Sequence, residues 1–494
     1  MLGVIAYQDS NYIYRLGFRP EGVSRKTIII CPNPNMADDF REKHTSFKHE
    51  SDSEVITISK FINDLIKNKL NDIQFTRKSE LLLILAGVWK AKFSQLPKET
   101  FLQSFQYFTD LRSYTFDKEL INEVLERLDV TFQQAIEYFW LVSDNQAMNI
   151  NDEHKAYHLL ADYFREAIPE DASEVDEEFV DKDFVFYGFT HLSGSQIDFL
   201  KSLSIRNDVF IPLPESVIKT SKKSDWINWL ENDLNEEDNE IIADQPISIN
   251  IIPFQKNRLG AAINNYIKHG EHESLDIYLT KKNPSYLELN EITIKAATFK
   301  SSSGMLDAAL KKVQTKLLDL IKTKDCSDKE IIIFLNEISD QAIFEAKENK
   351  MVIDYRLIKI TQLYKKSIAE MIELSETFTS FDLFTLYILN EIVQLNIPRI
   401  YNFPLAKDEM KTSIRGLESI EGFNRDNKTI LIAKSGYGKL KSTESVYHED
   451  IMEILASIGP VRRVEFEYQI LRHKLLEVLS CPNTILFLED GVQE

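Results

Sequence analysis

The sequence predicts an α/β fold of two parallel-sheet domains, each interrupted by a helical insertion. Three observations predict it. Toward both ends of the chain, short apolar runs ending in turn residues alternate with helical stretches, the strand–turn–helix–strand pattern of a parallel sheet. Between them lie stretches whose apolar residues recur at i, i+3, i+4 and i+7. The 494 residues include only 15 Gly and 14 Pro, too little punctuation for an all-β chain.

Leu2 to Tyr7 reads as a short apolar strand, and Thr27 to Cys31 as a buried one ending in CPNPN. Met36 to His44 reads as a helix and Glu54 to Ile58 as the next strand. From 60 to 166 the helical period dominates, with aromatic stripes that read as core. An acidic linker, IPEDASEVDEEFVDK, leads into the buried strand DFVFYGFT. A helix follows with Ser193 or Ser195 as its cap, then the strand NDVFIPLP. Residues 215–245 read as a polar, acidic loop. In the second half, 291–300, Lys329 to Leu335 (KEIIIFL), Lys428 to Ala433 and NTILFLEDG read as strands. Helices are expected at SSSGMLDAALKKVQTKLLDLIK, SDQAIFEAKEN, 355–400, HEDIMEILASIG and RRVEFEYQILRHKLLEVL. The first domain thus takes 1–60 and 175–245 around an insertion at 61–174. The second takes 246–354 and 401–494 around an insertion at 355–400.

Apolar residues make up 43% and aromatics 11% of the chain, enough for packed cores. The formal net charge of −20 argues against a free-standing nucleic-acid binder, which carries a basic surface. Cys31, Cys326 and Cys481 are far apart, so neither a disulfide framework nor a cysteine zinc site is expected. No basic n-region precedes an apolar stretch at the start, and runs such as Leu81 to Gly87 fall far short of the ~20 residues that span a bilayer. The expectation is a cytoplasmic protein with no membrane partner.

An ATP-driven helicase needs a phosphate loop after its first strand. The segment there reads YQDSNYIYRLGFRP and holds none. The nearest match, Ala433 to Leu440, has Ala433 at the first glycine and Leu440 at the magnesium-binding hydroxyl. The strand that would end in a magnesium-holding acid ends instead at Tyr187, whose phenol cannot replace a carboxylate. Acid-x-Lys triplets of the nuclease type occur at Glu345/Lys347 and Glu348/Lys350, both on an expected helix. His154 and His158 are an i,i+4 pair, but Lys155 stands where a metalloprotease has its glutamate, and a solvated helix face is the simpler reading. No catalytic residue, metal site or cofactor is expected. Basic residues gather at Arg462, Arg463, Arg472, His473 and Lys474, with glutamates interleaved. On one helix they would form stripes able to meet phosphates.

In order along the chain, these segments resemble the AddB/RecC family, partner subunits of bacterial recombination helicase–nucleases. The strongest match is FVFYGFTHLSGSQIDFLKSL, Phe184 to Leu203. Gly188, Phe189 and Thr190 fit the family's turn, with Tyr187 departing at the acid, and Gln196, Phe199, Leu200 and Leu203 fit the helix. Thr27 to Phe40, Ser59-Lys-Phe61, Lys329 to Asn336, Ile414 to Leu440 and Gly459 to Leu479 are looser matches. The resemblance implies two RecA-like domains, the first without a phosphate loop. It also implies a catalytically inert subunit that pairs with an AddA/RecB-like helicase–nuclease and holds or scans DNA within that complex. Candidate DNA contacts are Arg462, Arg463, Arg472, Lys411, Arg415 and Lys439. Two other readings stay open: the front part of a nuclease whose catalytic domain lies beyond residue 494, and a protein-interaction scaffold with no DNA role.

Overall fold

The computed structural model describes residues 2–7, 26–33, 36–37, 40–41, 54–70, 73, 75–115, 118–145, 150–166, 182–219, 221, 225–230, 250–255, 258, 262, 265–266, 274–279, 304–323, 326–348, 355–374, 378, 380–396, 411–416, 428–433, 447, 449–461, 464–479 and 483–489. They form an α/β fold, mostly helical, with parallel sheets. Among them, no helix is long and apolar enough to cross a membrane.

The chain opens with β1 (Leu2–Tyr7), β2 (Lys26–Cys31) and β3 (Glu54–Thr57). Thr57 accepts a bond from the Lys60 amide and so caps α1 (Ile58–Lys69), whose inner face buries Phe61, Ile62, Leu65 and Ile66. Then come α2 (Lys78–Lys92), α3 (Lys98–Tyr114), α4 (Lys118–Leu125), α5 (Val130–Ser143) and α6 (Glu153–Glu166). β4 (Lys182–Phe186), α7 (Gly194–Leu203) and β5 (Asp208–Pro214) return the chain to the first sheet. That sheet runs β1-β5-β4-β2-β3, all parallel. Its strands are apolar along their length, Ile28 to Cys31 and Phe184 to Phe186 all being buried, as a sheet covered on both faces requires. The expected loop at 215–245 starts instead with two short helices, α8 (Glu215–Ile218) and α9 (Trp226–Leu230). Val217, Trp226 and Ile227 draw them onto the sheet's core, an apolar signal diluted by the acidic run that follows.

The second sheet begins with β6 (Asn250–Phe254) and β7 (Ser274–Leu279), two strands the sequence did not announce. The expected strand at 291–300 lies outside the described residues. α10 (Gly304–Thr323) leads to the two-residue β8 (Cys326–Ser327) and α11 (Asp328–Glu348). Lys329 to Leu335 is therefore helix, not strand. Ile331, Leu335 and Ile338 are buried at i, i+4 and i+7, a period the run of apolar residues in EIIIFL disguises. α12 (Tyr355–Leu374), the short β9 (Ser380–Phe381) and α13 (Leu383–Asn396) follow. β10 (Lys411–Gly416), β11 (Lys428–Ala433), α14 (Glu449–Ile458), α15 (Val464–Leu479) and β12 (Thr484–Glu489) complete the chain. This sheet runs β10-β7-β11-β12-β6, again all parallel, with Pro253 confined to an edge strand.

The helices at 304–348 pack with those at 355–396, so the helical part of the second half starts well before residue 355. The two helical parts also share one core. Phe101, Phe108, Phe139 and Trp89 of the first lie in a single cluster with Leu386, Leu389 and Tyr364 of the second and Ile451 and Leu455 of α14. Phe101 meets Phe384 edge-on at 5.7 Å, and Lys90 Nζ lies 3.1 Å from Asp382 Oδ2.

Asp382 also caps α13, accepting from the Thr385 amide at 2.7 Å and from its hydroxyl at 2.8 Å. Burial alone would raise its pKa, but the Thr385 bonds and Lys90 more than offset that and hold it below the usual carboxylate value. Asp382 therefore adds stability that is fully present above the unfolded value of about 3.9 and is lost as pH falls through the lower folded value. Asp382→Asn keeps the cap and removes the ion pair, which solvent partly screens. The expected cost is about 0.5–1 kcal/mol at pH 7 and shrinks as pH falls through the folded value. Urea midpoints measured from pH 7 downward check it.

Candidate functional site

Ligands of open parallel sheets bind outside the carboxyl ends of the strands. In the first sheet, the part of that edge at the end of β4 is apolar. Tyr187, one residue past β4, continues the ladder by donating its N–H to the Ile30 carbonyl at 2.9 Å. Its side chain is buried, and its ring meets Phe40 edge-to-face with centroids 5.0 Å apart. Cys31, Met36, Ala37 and Val185 close around the pair. Gly188 makes the turn with φ 84°, a left-handed conformation that a side chain would strain. Phe189 folds back on Phe186 at 5.8 Å, and the Thr190 carbonyl accepts from Trp226 Nε1 at 3.2 Å. The four motif residues thus form one turn whose two aromatic side chains part, Tyr187 joining the Phe40 cluster and Phe189 the core on the other face of the sheet, with no carboxylate among them. Among the described residues, no group of three His, Cys, Asp or Glu could hold a metal ion.

The basic candidates are less gathered. Lys411 and Arg415 lie four residues apart on β10, the edge strand of the second sheet. Arg472 is exposed on α15, which packs against β12 three strands away from β10 in the same sheet. Arg462, Arg463 and Lys439 lie outside the described residues, as does the Lys434 to Leu440 part of the near-miss loop. His473 departs from the expected phosphate-facing stripe: its Nδ1 sits 3.0 Å from Ser216 Oγ on α8, so it joins α15 to the first sheet's helices.

A cleft of about 560 Å³ opens where α3, α6, α7 and the chain after α14 meet. Tyr114, His158, Ser195, Lys201, Trp229 and Gly459 are among its lining residues. Two glycines shape it against Tyr114. A Cβ at Gly194 would lie 2.7 Å from the Tyr114 carbonyl oxygen, and one at Gly459 would lie 3.2 Å from its ring. Burial pushes the Tyr114 phenol well above its ordinary pKa, so it remains protonated.

His154 and His158 do not act as a pair. His154 Nδ1 is 3.1 Å from Ser195 Oγ, while His158 Nε2 lies 3.5 Å from Asp162. Burial keeps the His154 imidazole below its usual pKa, against the pull of Glu153 and Asp152, so it stays neutral near pH 7. Ser193 is the cap of α7: its Oγ accepts the Gln196 amide at 3.3 Å, and Gln196 Oε1 accepts the Ser193 amide at 2.9 Å. Ser195 Oγ is 3.1 Å from Ser193 Oγ, so the serine is held between the cap and His154. This is a helix-anchoring network that ties α6 to α7. The sequence offered Ser193 or Ser195 as the cap and Ser193 takes that place; nothing local announced the histidine contact or the cleft.

No family model and no curated protein matches this chain. Its function has to be read from the two sheets, the filled carboxyl edge of the first, and the positions of its charges.

Proposed function

We propose that this chain is a non-catalytic, helicase-like subunit of a DNA double-strand-break repair complex, built on two degenerate RecA-like domains. In this reading it works in the cytoplasm with an AddA/RecB-like helicase–nuclease and helps hold or scan DNA. One observation carries the reading. At the strand end where such a fold would keep its magnesium-holding acid, Tyr187 is buried against Phe40 and the space is packed with apolar side chains. Two all-parallel sheets with helical insertions in both halves support a helicase-like frame, and a frame can outlive its chemistry. The net charge of −20 favours DNA contact in the assembled complex over contact by the isolated chain.

The test is DNA binding by the assembled complex as a function of salt. Affinity is expected to fall linearly in log–log form. Changing Lys411, Arg415, Lys439, Arg462, Arg463 and Arg472 to Glu should flatten the slope by about one for each phosphate no longer neutralised. The isolated chain should show no DNA-stimulated ATP hydrolysis. A complex whose affinity ignores both salt and the six substitutions would rule out the DNA-holding role, and ATP turnover by the chain alone would rule out the inert frame.

A further inference from the structure

α11 has two unlike faces. Ile331, Leu335 and Ile338 are sealed in the helical core. On the opposite stripe Ile333 is 57% and Phe344 58% exposed. The two are eleven residues apart, three turns or about 16 Å along the axis, so they stand on one line. Glu337 and Asp340 lie between them on that line, Glu348 follows one turn beyond Phe344, and Lys329 precedes Ile333 by one turn, all four exposed. Lys365 and Lys316, on the neighbouring helices, bond the amides of Asn336 and Gln341 rather than these acids. Among the described residues, no ion pair reaches Glu337, Asp340 or Glu348.

Apolar anchors framed by open carboxylates are the composition of an interface, with a core to desolvate and a charged rim to set orientation. A second copy of this chain is a poorer occupant, because antiparallel pairing of the two stripes would set Glu337 against Asp340 at its centre. We infer that the outer face of α11 is the docking surface for a different protein, one that presents apolar side chains flanked by lysine or arginine, as a basic amphipathic helix does. Ile333 and Phe344 enter its apolar line, and Glu337 and Asp340 meet its cations. This goes beyond the proposed function, which assigns a partner subunit but no surface for it, and it holds whatever that partner's activity.

The experiment uses the full tagged chain expressed in its native cells. A water-soluble carbodiimide is added to the extract; it joins a carboxylate to a lysine amine it already touches, as an amide with loss of water. Mass spectrometry then maps the joined residues. The expected product links Glu337 or Asp340 to lysines of one other polypeptide, within a segment that is basic and amphipathic. Its yield should fall at least tenfold in the Ile333→Ser/Phe344→Ser variant, which alters only exposed positions, and should fall in 0.5 M salt. Links from these carboxylates to a second copy, no intermolecular link from a chain shown to be folded, or a yield unmoved by the double substitution would each overturn the inference. The identity of the linked polypeptide decides the proposed function separately. A partner with neither helicase nor nuclease motifs would defeat that reading and leave this one intact.

Discussion

Arg112→Met is expected to destabilise the helical block by about 3–5 kcal/mol. Arg112 on α3 is fully buried. Its Nε lies 2.7 Å from Asp152 Oδ2, Nη1 lies 3.0 Å from Ser143 Oγ, and the guanidinium sits 5.3 Å and 5.6 Å from the Phe108 and Trp140 rings. One cation thus ties α3 to the end of α5 and to the start of α6. Removing it leaves the Asp152 carboxylate buried beside apolar groups, and that orphaned charge accounts for most of the loss. Asp152 also accepts the Lys155 amide at 2.9 Å, so Arg112→Met/Asp152→Asn keeps the cap while removing the charge. The double variant should recover at least half of the loss. Urea unfolding followed by far-ultraviolet circular dichroism measures all three proteins. A single-variant cost under about 1 kcal/mol, or a double variant no better than the single, would mean the pair does not hold these helices together.

Gly194→Ala should cost about 1–3 kcal/mol, a large effect for one methyl group near a surface. The new Cβ would meet backbone, the Tyr114 carbonyl oxygen at 2.7 Å and that of Ser113 at 3.3 Å, so α7 has to move away from the end of α3. Gly459→Ala meets only the edge of the Tyr114 ring, at 3.2 Å, which a small ring rotation relieves. The informative result is therefore the ordering of the two urea midpoints. Equal midpoints would show that α7 is not seated on α3 at this contact.

What could be read from the sequence followed from how local its cause was. The helices at 58–166 carry their period in plain view, and the Ser193/Gln196 box and the turn at Gly188 are written in adjacent residues. KEIIIFL failed because a run of consecutive apolar residues satisfies a buried strand and a buried helix alike, and only Ile338 further on shows the period of 3.6. β6, β7 and β10 escaped notice because each is short and flanked by polar sequence. Tyr187 was legible as an apolar strand end without a carboxylate, but not as half of an aromatic pair, because Phe40 stands far away in sequence. The cleft and the His154–Ser195 contact depend on α6 and α7 meeting across the linker. The basic cluster looked like one surface on paper, yet His473 turns toward Ser216, a residue more than 250 positions earlier.

The shared helical core has a consequence for how the chain is made. Leu81 to Ile150 find part of their apolar cover only in residues 309–461. At roughly 5–20 residues per second of synthesis, the first helices wait about 15–60 s for roughly 300 more residues to emerge. For that time they expose a surface that the finished molecule hides. Loop closure over such a separation is slow compared with helix formation, so this core closes only after the residues up to 461 have emerged. A nascent chain of this design needs a holding chaperone more than it needs a fast-folding first domain.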